Sequence, residues 1–307
     1  MKILVTGGAG LIGSHVVDAY VAQGHEVIVV DDLSNGKREN VTGRAHFVHL
    51  DIRDPALAEV FASYRPQVVN HHAAQIDVRR SVQDPAFDAE VNVLGTLRVL
   101  EQCRRSGVHR LIFASTGGAI YGEPKYLPMD ENHPIAPLAP YGASKFAAEQ
   151  FLRLGALTEG MTCVVLRYAN VYGPRQDPLG EAGVVAIFAA AMLKGQTPTI
   201  YGDGRQTRDF VYVGDVAHAN LLALDRDPGG PVNIGTGIGT SVNDVFSILA
   251  GLTGFRGQPI YASPRAGEIH TCYLDNSRAR QHLGWQPGTD LREGLARTVQ
   301  AFAAQGP

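Results

Sequence analysis

The chain has few cysteines, no long apolar run and no excess of positive charge. Its three cysteines, Cys103, Cys163 and Cys272, are far apart and form no CxxC pair, which argues against a disulfide framework or a structural zinc site and favours a reducing compartment. The 27 basic and 30 acidic residues give a net charge of −3, so no basic field indicates a nucleic-acid partner. The longest apolar run, Val184–Leu193, is too short to cross a bilayer, and the N-terminus does not resemble a signal peptide. We therefore expect a cytoplasmic globular protein without membrane or nucleic-acid partners.

The histidines do not indicate a metal site. His46 and His49 are three residues apart on a predicted strand and so face opposite sides of it. His71 and His72 end another predicted strand, and no carboxylate falls at ligand spacing from them. We expect no bound metal.

Short β-branched runs alternate with segments of helical periodicity through the first half of the chain. The early runs are apolar without alternation, which is typical of parallel strands covered by helices on both faces. We therefore predict an α/β fold with a doubly wound parallel sheet of the Rossmann type. The predicted strands are Lys2–Thr6, Glu26–Val30, Ala45–Leu50, Gln67–His71, Arg110–Ala114 and Thr162–Arg167, with helices that include Ser14–Gln23, Val93–Ser106 and Ser144–Leu157.

After Arg167 the connections become long and rich in proline and glycine. A chain of 307 residues is long enough for about two domains. We expect residues 1–167 to form the Rossmann domain, with a return strand and helix near residues 208–226, and residues 168–307 to form most of a smaller C-terminal α/β domain. The helices predicted there are Val184–Lys194, Val213–Asp225, Val242–Leu252 and Leu291–Ala303.

A glycine-rich loop joins the first predicted strand to the first helix. Gly7, Gly10 and Gly13 have the spacing at which glycine permits a tight turn, a close approach to a pyrophosphate and close packing of the helix on the strand. The N-terminus of the helix would offer free N–H groups and a positive dipole end to phosphates. Asp31 ends the second strand, where it could hold a ribose diol and repel the extra phosphate of NADP. The loop therefore predicts NAD as the cofactor.

Two features compete with this interpretation. Lys37 and Arg38 are cations that could meet a 2′-phosphate and so favour NADP, an alternative that we disfavour. A second glycine-rich run, Gly235-Thr-Gly237-Ile-Gly239, also follows an apolar strand. Because it lacks the third glycine at the right spacing and a downstream acid, we interpret it as a loop.

The chain contains two Tyr-x-x-x-Lys pairs. In Tyr121–Lys125 the intervening Gly122 and Pro124 prevent a regular helix, so the two side chains need not share a face. Tyr141–Lys145 follows Pro140 and enters a strong helical pattern, in which residues i and i+4 do share a face. An ammonium ~4 Å from the phenol would favour the phenolate by roughly 4 kcal/mol, a cationic nicotinamide would add to this effect, and desolvation would oppose it. We predict that the sum gives a tyrosine base with a pKa of about 7.

Together these motifs resemble the extended short-chain dehydrogenase/reductase family, and within it the bacterial UDP-glucose (UDP-galactose) 4-epimerases. The resemblance runs essentially from end to end. It implies that the Rossmann part binds NAD, that the smaller part binds a nucleotide sugar, and that the enzyme is an isomerase of galactose and nucleotide-sugar metabolism. The segments that carry it are Gly7–Gly13, Asp31, Asp51-Ile52, Ala73-Ala74, Asn92, Phe113–Thr116, Tyr141-x3-Lys145, Leu166–Arg175, Gly204–Asp215 and Pro264–Glu268.

The resemblance implies a role for each matching residue. Tyr141 would take the proton of the sugar 4-hydroxyl as hydride passes from C4 to NAD⁺, Lys145 would bind the nicotinamide ribose and lower the tyrosine pKa, and Thr116 would hydrogen-bond the 4-oxygen. Besides Tyr141 and Lys145, the cofactor would contact Gly7, Gly10, Leu11, Ile12, Gly13, Asp31, Asn35, Asp51, Ile52, Ala73, Ala74, Gln75, Asn92 and Tyr168. The nucleotide sugar would contact Thr116, Asn170, Thr199, Tyr201, Arg208, Arg265, Glu268 and Cys272, with the arginines at its diphosphate.

Two departures from the family pattern matter. Many epimerases carry a lysine after the fourth strand that meets the cofactor pyrophosphate, whereas this chain has Ala74-Gln75-Ile76-Asp77-Val78-Arg79, so that contact must be replaced or lost. The sugar 4,6-dehydratases have an Asp–Glu pair where this chain has small residues in Ser115–Ala119. Dehydration needs an acid to expel the 6-hydroxyl, so the second departure counts against a dehydratase.

Cys272 bears on the choice of sugar. By its spacing from Glu268, it aligns with a gate position of the family's sugar pocket, where a bulky tyrosine restricts the pocket and smaller residues admit N-acetylated hexoses. We therefore predict that UDP-N-acetylglucosamine is also a substrate. A small buried hydrophobic side chain is the competing interpretation.

The predicted function is NAD-dependent 4-epimerisation of UDP-hexoses through a transient 4-keto intermediate. The alternatives are another nucleotide-sugar enzyme of the family (a UDP-glucuronate epimerase or decarboxylase, or a 4,6-dehydratase) and a non-catalytic nucleotide-sensing relative. A non-catalytic relative should have lost Tyr141, Lys145 or Thr116, and all three are present. The family also implies a homodimer, formed through a four-helix bundle of Val93–Ser106 and Ser144–Leu157.

Overall fold

Seven strands form a wholly parallel sheet in the computed structural model, which describes residues 1–179, 183–264 and 269–304. In chain order they are β1 (Lys2–Thr6), β2 (Glu26–Asp31), β3 (His46–His49), β4 (Val68–His71), β5 (Arg110–Thr116), β6 (Thr162–Tyr168) and β11 (Val232–Ile234). Across the sheet the order is β11-β6-β5-β4-β1-β2-β3. The order reverses beside β1, which places a crevice at the carboxyl ends of β1 and β4. The predicted doubly wound sheet is confirmed.

Both faces of this sheet are covered. In β1, Ile3 and Val5 pack into the apolar cluster on one face, whereas Leu4 packs into the cluster on the other. Successive side chains of a strand point to opposite faces, so a strand buried on both sides must be apolar at every position. This explains why the strand sequences show no alternation.

Helices form the two outer layers. α1 and α8 pack against each other on one face, and α2, α5 and α6 supply apolar residues to the cluster on the other. A π-helical turn, Glu90–Gly95, joins α4 to α5. Within the described ranges, no helix combines the length and apolarity needed to span a bilayer. The helices are α1 (Leu11–Ala22), α2 (Leu57–Tyr64), α3 (Val78–Gln83), α4 (Pro85–Ala89), α5 (Thr96–Arg105), α6 (Pro140–Glu159), α7 (Val184–Leu193), α8 (Val213–Leu222), α9 (Val242–Thr253) and α10 (Leu291–Ala304).

The second half of the chain adds small sheets and a third apolar cluster. Its short strands are β7 (Asn170–Tyr172), β8 (Thr199–Tyr201), β9 (Thr207–Arg208), β10 (Phe210–Tyr212), β12 (Thr240–Ser241), β13 (Ile260–Ala262) and β14 (Thr271–Cys272). They pair as β10–β7, β12–β9–β14 and β13–β8, beside a cluster built largely from α7, α9 and α10.

The return strand differs from our expectation. The strand near residues 208–226 is β10, which pairs with β7 outside the large sheet, while α8 follows it directly and packs on α1. The strand that joins the large sheet is β11, which pairs with β6. Val232 and Ile234 of β11 are fully buried, so their apolar side chains complete the edge of the core.

A buried ion pair joins β5, β6 and α6. Arg167 Nη2 lies 2.7 Å from Glu149 Oε2, and Arg167 Nε donates to Glu149 Oε1 at 3.1 Å. Ser115 Oγ also donates to Glu149, and Arg167 Nη1 donates to the hydroxyl of Tyr121 at 2.9 Å. The two charged side chains are each 4% exposed, so the charge of each is compensated by the opposite charge of the other.

Glu149→Ala would leave the Arg167 guanidinium buried without its counter-charge. We expect the free energy of unfolding to fall by about 3–5 kcal/mol, measured by urea denaturation at one protein concentration. The matched control is Glu101→Ala, which breaks the exposed pair between Glu101 and Arg105 (2.6 Å; 42% and 61% exposed) and should cost less than about 1 kcal/mol. Equal losses in the two variants would contradict this account of the buried pair.

Candidate active site

A cavity of about 850 Å³ opens at the carboxyl ends of the central strands. It collects site residues predicted from both halves of the chain. Those on its wall are Gly7, Gly10, Leu11, Ile12, Gly13, Asp31, Asn35, Asp51, Ile52, Ala73, Ala74, Gln75, Thr116, Tyr141, Lys145, Tyr168, Asn170 and Arg208.

Two glycines of the glycine-rich loop have no room for a side chain. Gly7 has φ +68°, and a Cβ there would lie 2.5 Å from the backbone nitrogen of Ala73. A Cβ on Gly13 would collide with the carbonyl oxygen of Gly7. α1 begins at Leu11 after Gly10, and no side chain caps its first turn. The uncapped N–H groups at the cavity wall fit the phosphates of a dinucleotide.

Asp31 stands at the end of β2 with its carboxylate on the cavity wall. Its Oδ2 accepts a hydrogen bond from Ala9 N at 2.9 Å, and its Oδ1 accepts one from Leu33 N at 2.8 Å. Burial raises the pKa of Asp31, and these two donors oppose that rise. The hydrogen bonds fix the carboxylate, while each oxygen keeps a lone pair that could accept from a ribose hydroxyl.

The two cations near this loop are engaged elsewhere. Lys37 Nζ lies 3.5 Å from Asp177 Oδ2. Arg38 Nη1 donates to Val41 O at 3.2 Å, and its guanidinium lies 4.6 Å from the ring centroid of Phe47. Neither cation lines the cavity. The arrangement supports an unphosphorylated ribose, as in NAD.

Asp51 and its neighbours form another part of the wall. Arg53 donates to both carboxylate oxygens of Asp51, at 3.1, 3.0 and 2.6 Å, and these bonds hold the pKa of Asp51 below its ordinary value. The guanidinium groups of Arg53 and Arg80 lie 5.2 and 4.1 Å from the ring centroid of Phe87. Since Arg53, Arg80 and Phe87 all line the cavity, they are wall residues that sequence reasoning missed.

Tyr141 and Lys145 lie on the wall in the first turns of α6. The helix begins at Pro140, four residues earlier than predicted, which places both residues inside it and on one face. Lys145 Nζ lies 4.2 Å from the ring centroid of Phe113. Among the described residues, Nζ makes no hydrogen bond or ion pair with a protein group.

The predicted pKa of Tyr141 includes the charge of a cationic nicotinamide, and the protein groups alone act in the opposite direction. Burial raises the pKa of the phenol well above its ordinary value, and the charge of Asp88 raises it further. Burial also lowers the pKa of Lys145 to about 8, although Glu149 and Asp88 oppose that change. Desolvation therefore outweighs the attraction of the ammonium for a phenolate. A cationic nicotinamide would supply further positive charge beside the phenol.

Thr116 and Tyr168 face the cavity from paired positions on β5 and β6. The ring of Tyr168 stacks on His72, with centroids 6.2 Å apart and planes at 12°, and its hydroxyl accepts from Asn220 Nδ2 at 2.9 Å. Burial, reinforced by Lys145, lowers the pKa of His72 to about 3, so this imidazole stays neutral. His72 lines the cavity and was missed as a site residue, although its position just after β4 was a signal.

Asn92 and Gln75 depart from the expected roles. Asn92 does not line the cavity but lies behind Gln75, where Asn92 Oδ1 accepts from Gln75 N and Asn92 Nδ2 donates to Gln75 O, both at 2.9 Å. The side chain of Gln75, near the lysine position of related enzymes, donates from Nε2 to Asp77 O and to Asp88 Oδ1, both at 2.9 Å. These two hydrogen bonds of the Gln75 side chain stabilise the cavity wall.

Several predicted substrate residues lie elsewhere. Tyr201 lines a second cavity of about 740 Å³ with Tyr261 and His270, and Thr199 lines neither cavity. Cys272 also lines neither cavity and packs with Met129, Leu274 and other apolar residues. This placement differs from the predicted gate and matches that of a small buried hydrophobic side chain. Arg265 and Glu268 lie outside the described residues.

All three cysteines are free thiols. Among the residues that the structure describes, no three His, Cys, Asp or Glu side chains are grouped so that they could hold a metal ion.

Comparison with known proteins identifies the family. The chain is 46% identical to a UDP-glucose 4-epimerase of Mycolicibacterium smegmatis, over 98% of each chain. It is also similar to two solved UDP-glucose 4-epimerases, one from Thermotoga maritima with UDP-glucose (49% identity, TM-score 0.98) and one from Thermus thermophilus in complex with NAD (47%, TM-score 0.93), each covering 99% of both chains. Residues 3–235 match the model of the NAD dependent epimerase/dehydratase family, and this chain belongs to that family.

Proposed function

We propose that this chain is an NAD-dependent UDP-hexose 4-epimerase. The observation that carries the proposal is that one cavity brings together the uncapped glycine loop, the Tyr141–Lys145 pair, Thr116 and Arg208. A dinucleotide site alone would serve many reactions, but a phenol, an ammonium and a hydroxyl beside it suit the removal and return of an alcohol proton. The relatives solved with NAD and with UDP-glucose support both ligands.

Each residue of the site has a separate role in the proposed reaction. When bound, NAD⁺ supplies the acceptor for the hydride that leaves C4 of the sugar. Tyr141 takes the proton of the 4-hydroxyl, Thr116 hydrogen-bonds the 4-oxygen, and the ammonium of Lys145 stabilises the phenolate. Tyr141 would return the proton to the 4-oxygen when the 4-keto sugar, turned to its opposite face, is reduced again, which would give the epimer. No external oxidant or reductant is consumed.

The nucleotide end must stay fixed while the sugar turns. Arg208 and Asn170 come from the second half of the chain and line the same cavity as the glycine loop. We propose them for the diphosphate, because a guanidinium can bind phosphate oxygens in a bidentate manner. Thr199 and Tyr201, near the second cavity, are proposed for the uracil, and Arg265 and Glu268 for the diphosphate and the uridine ribose. Few directional contacts are needed at the hexose itself.

We also infer that the enzyme is a cytoplasmic homodimer. Exposed apolar side chains, Leu94, Phe151, Leu154 and Leu157, lie on or beside α5 and α6, the two helices proposed for the four-helix bundle. Burying such side chains against a second copy would remove them from water. Three free thiols suit a reducing compartment.

Tyr141→Phe should lower kcat for UDP-galactose by about 10²–10⁴-fold, because the variant lacks the group that exchanges the proton. The loss should appear in a coupled assay while the amount of bound nucleotide stays unchanged. Tyr126→Phe is the matched control, since Tyr126 is exposed and lies outside the cavity wall. Unchanged turnover in Tyr141→Phe would mean that another group accepts the proton.

The purified protein should retain its dinucleotide, because the loop, Asp31 and Asp51 enclose much of such a ligand. Anaerobic addition of a UDP-hexose without added NAD should therefore produce the near-ultraviolet absorbance of NADH. The control is the Tyr141→Phe protein, which should show little change. A protein that is active only in saturating free NAD⁺ would contradict this prediction.

Cys272 tests the range of sugars. Cys272 lies in an apolar cluster, but its strand partner in β14–β9 is Arg208, a cavity-wall residue, so a tyrosine too large for that cluster would displace the neighbouring wall. We expect Cys272→Tyr to lower kcat/KM for UDP-N-acetylgalactosamine more than for UDP-galactose, with Cys163→Ala as the control for loss of a thiol. An unchanged ratio of the two constants would leave Cys272 as a packing residue only.

A further inference from the structure

Asp88 is a buried carboxylate that the functional assignments above do not use. It lies in α4, is 1% exposed, and does not line the main cavity. Its Oδ1 accepts from Gln75 Nε2 at 2.9 Å and from Asn92 Nδ2 at 3.1 Å, and both donors are uncharged amides. Its Oδ2 is buried without a hydrogen-bond partner among the described residues. The negative charge of Asp88 therefore has no cation in contact with it in that part of the chain.

Hydrogen bonds tie Asp88 to the turn of α6 that carries Tyr141 and Lys145. Asn92 Nδ2, which donates to Asp88, also donates to Ser144 Oγ at 3.3 Å, and that hydroxyl donates to Tyr141 O at 3.0 Å. α4 and the π-helical turn both pack on α6. The carboxylate is therefore held at a fixed place beside the Tyr–Lys pair, where its charge acts on the pKa of both side chains.

Two buried carboxylates act on Lys145, and one of them has a cation as its partner. Glu149, one helical turn after Lys145, raises the pKa of Lys145 more than Asp88 does, and it is bound to the Arg167 guanidinium. His71 and His72, on β4 and just after it, are neutral because burial lowers their pKa, and Lys145 lowers it further. Among the described residues, Asp88 is therefore the carboxylate acting on Lys145 that no cation contacts.

We propose that Asp88 is a positioning residue of this enzyme, whose negative charge, with no cation in contact, helps to keep the Lys145 side chain as an ammonium inside the protein. The inference rests on the proposed function, because a charged Lys145 serves the reaction only if Tyr141 exchanges the proton. The direction of the effect follows from the sign of the charge. Without it, Lys145 loses its proton at lower pH, and the phenol of Tyr141 ionises at lower pH as well.

The test is Asp88→Asn, which removes the charge and keeps both the shape and the oxygen that accepts from Gln75 and Asn92. The chain has only five lysines, so carbon-13 labelling at lysine Cε gives a simple NMR spectrum, in which Lys145→Arg identifies the Lys145 signal. The titration midpoint of Lys145, about 8 in the wild type, should fall by about one pH unit in Asp88→Asn. Both limbs of the pH profile of kcat/KM should move to lower pH with it.

The matched control is Glu90→Gln, which removes an exposed carboxylate of the neighbouring π-helical turn that pairs with Arg53 at 3.4 Å. The Lys145 midpoint of Glu90→Gln should equal that of the wild type. All proteins are compared at the same measured nucleotide content. Asp88→Glu keeps the negative charge in a longer side chain, so its Lys145 midpoint should equal that of the wild type. This variant separates the effect of the charge from the effect of packing. An unchanged midpoint in folded Asp88→Asn, or an equal shift in Glu90→Gln, overturns the proposal. A shifted midpoint in a protein that does not epimerise UDP-hexoses would refute the proposed function and leave the electrostatic coupling in place.

Discussion

The site depends on keeping a cation charged where little of its side chain is exposed to solvent. Lys145 is 3% exposed, and removal of its ammonium from water lowers its pKa to about 8, only slightly above neutrality. Carboxylates are the groups that can oppose this cost, and they must themselves be held in place. Glu149 is held by Arg167 and Ser115, and Asp88 by two amide groups. The electrostatics of the cavity therefore depend on polar contacts within the core.

These contacts also position the groups on the cavity wall. Ser115 precedes Thr116 on β5, Arg167 precedes Tyr168 on β6, and Glu149 follows Lys145 by one turn of α6. Side chains that alternate along a strand point to opposite faces, so one residue can join the buried network while its neighbour faces the cavity. The same ion pair that stabilises the core thus holds two strands and a helix at the distances that the site needs.

Much of the fold and part of the site follow from local sequence. Unbroken apolar runs predict parallel strands, glycine spacing predicts the phosphate loop, and Pro140 before a helical pattern predicts that Tyr141 and Lys145 share a face. The pKa of Tyr141 could not be predicted in this way, since the sequence does not show how deeply the phenol is buried and so how large the opposing cost of desolvation is. Asp88 gave no signal, because a single carboxylate in a short helix resembles a surface charge until the packing of α4 on α6 is known. The strand order beyond Arg167 likewise depends on contacts distant in sequence.

α6 connects two regions of the protein through one continuous backbone. Its first turns carry the phenol and the ammonium, and its last turns present Phe151, Leu154 and Leu157 to the surface. Hydrogen bonds between successive turns make this helix one continuous element. If a second copy covers those three side chains, as we propose, a single helix would carry both the subunit contact and the pair that exchanges the proton.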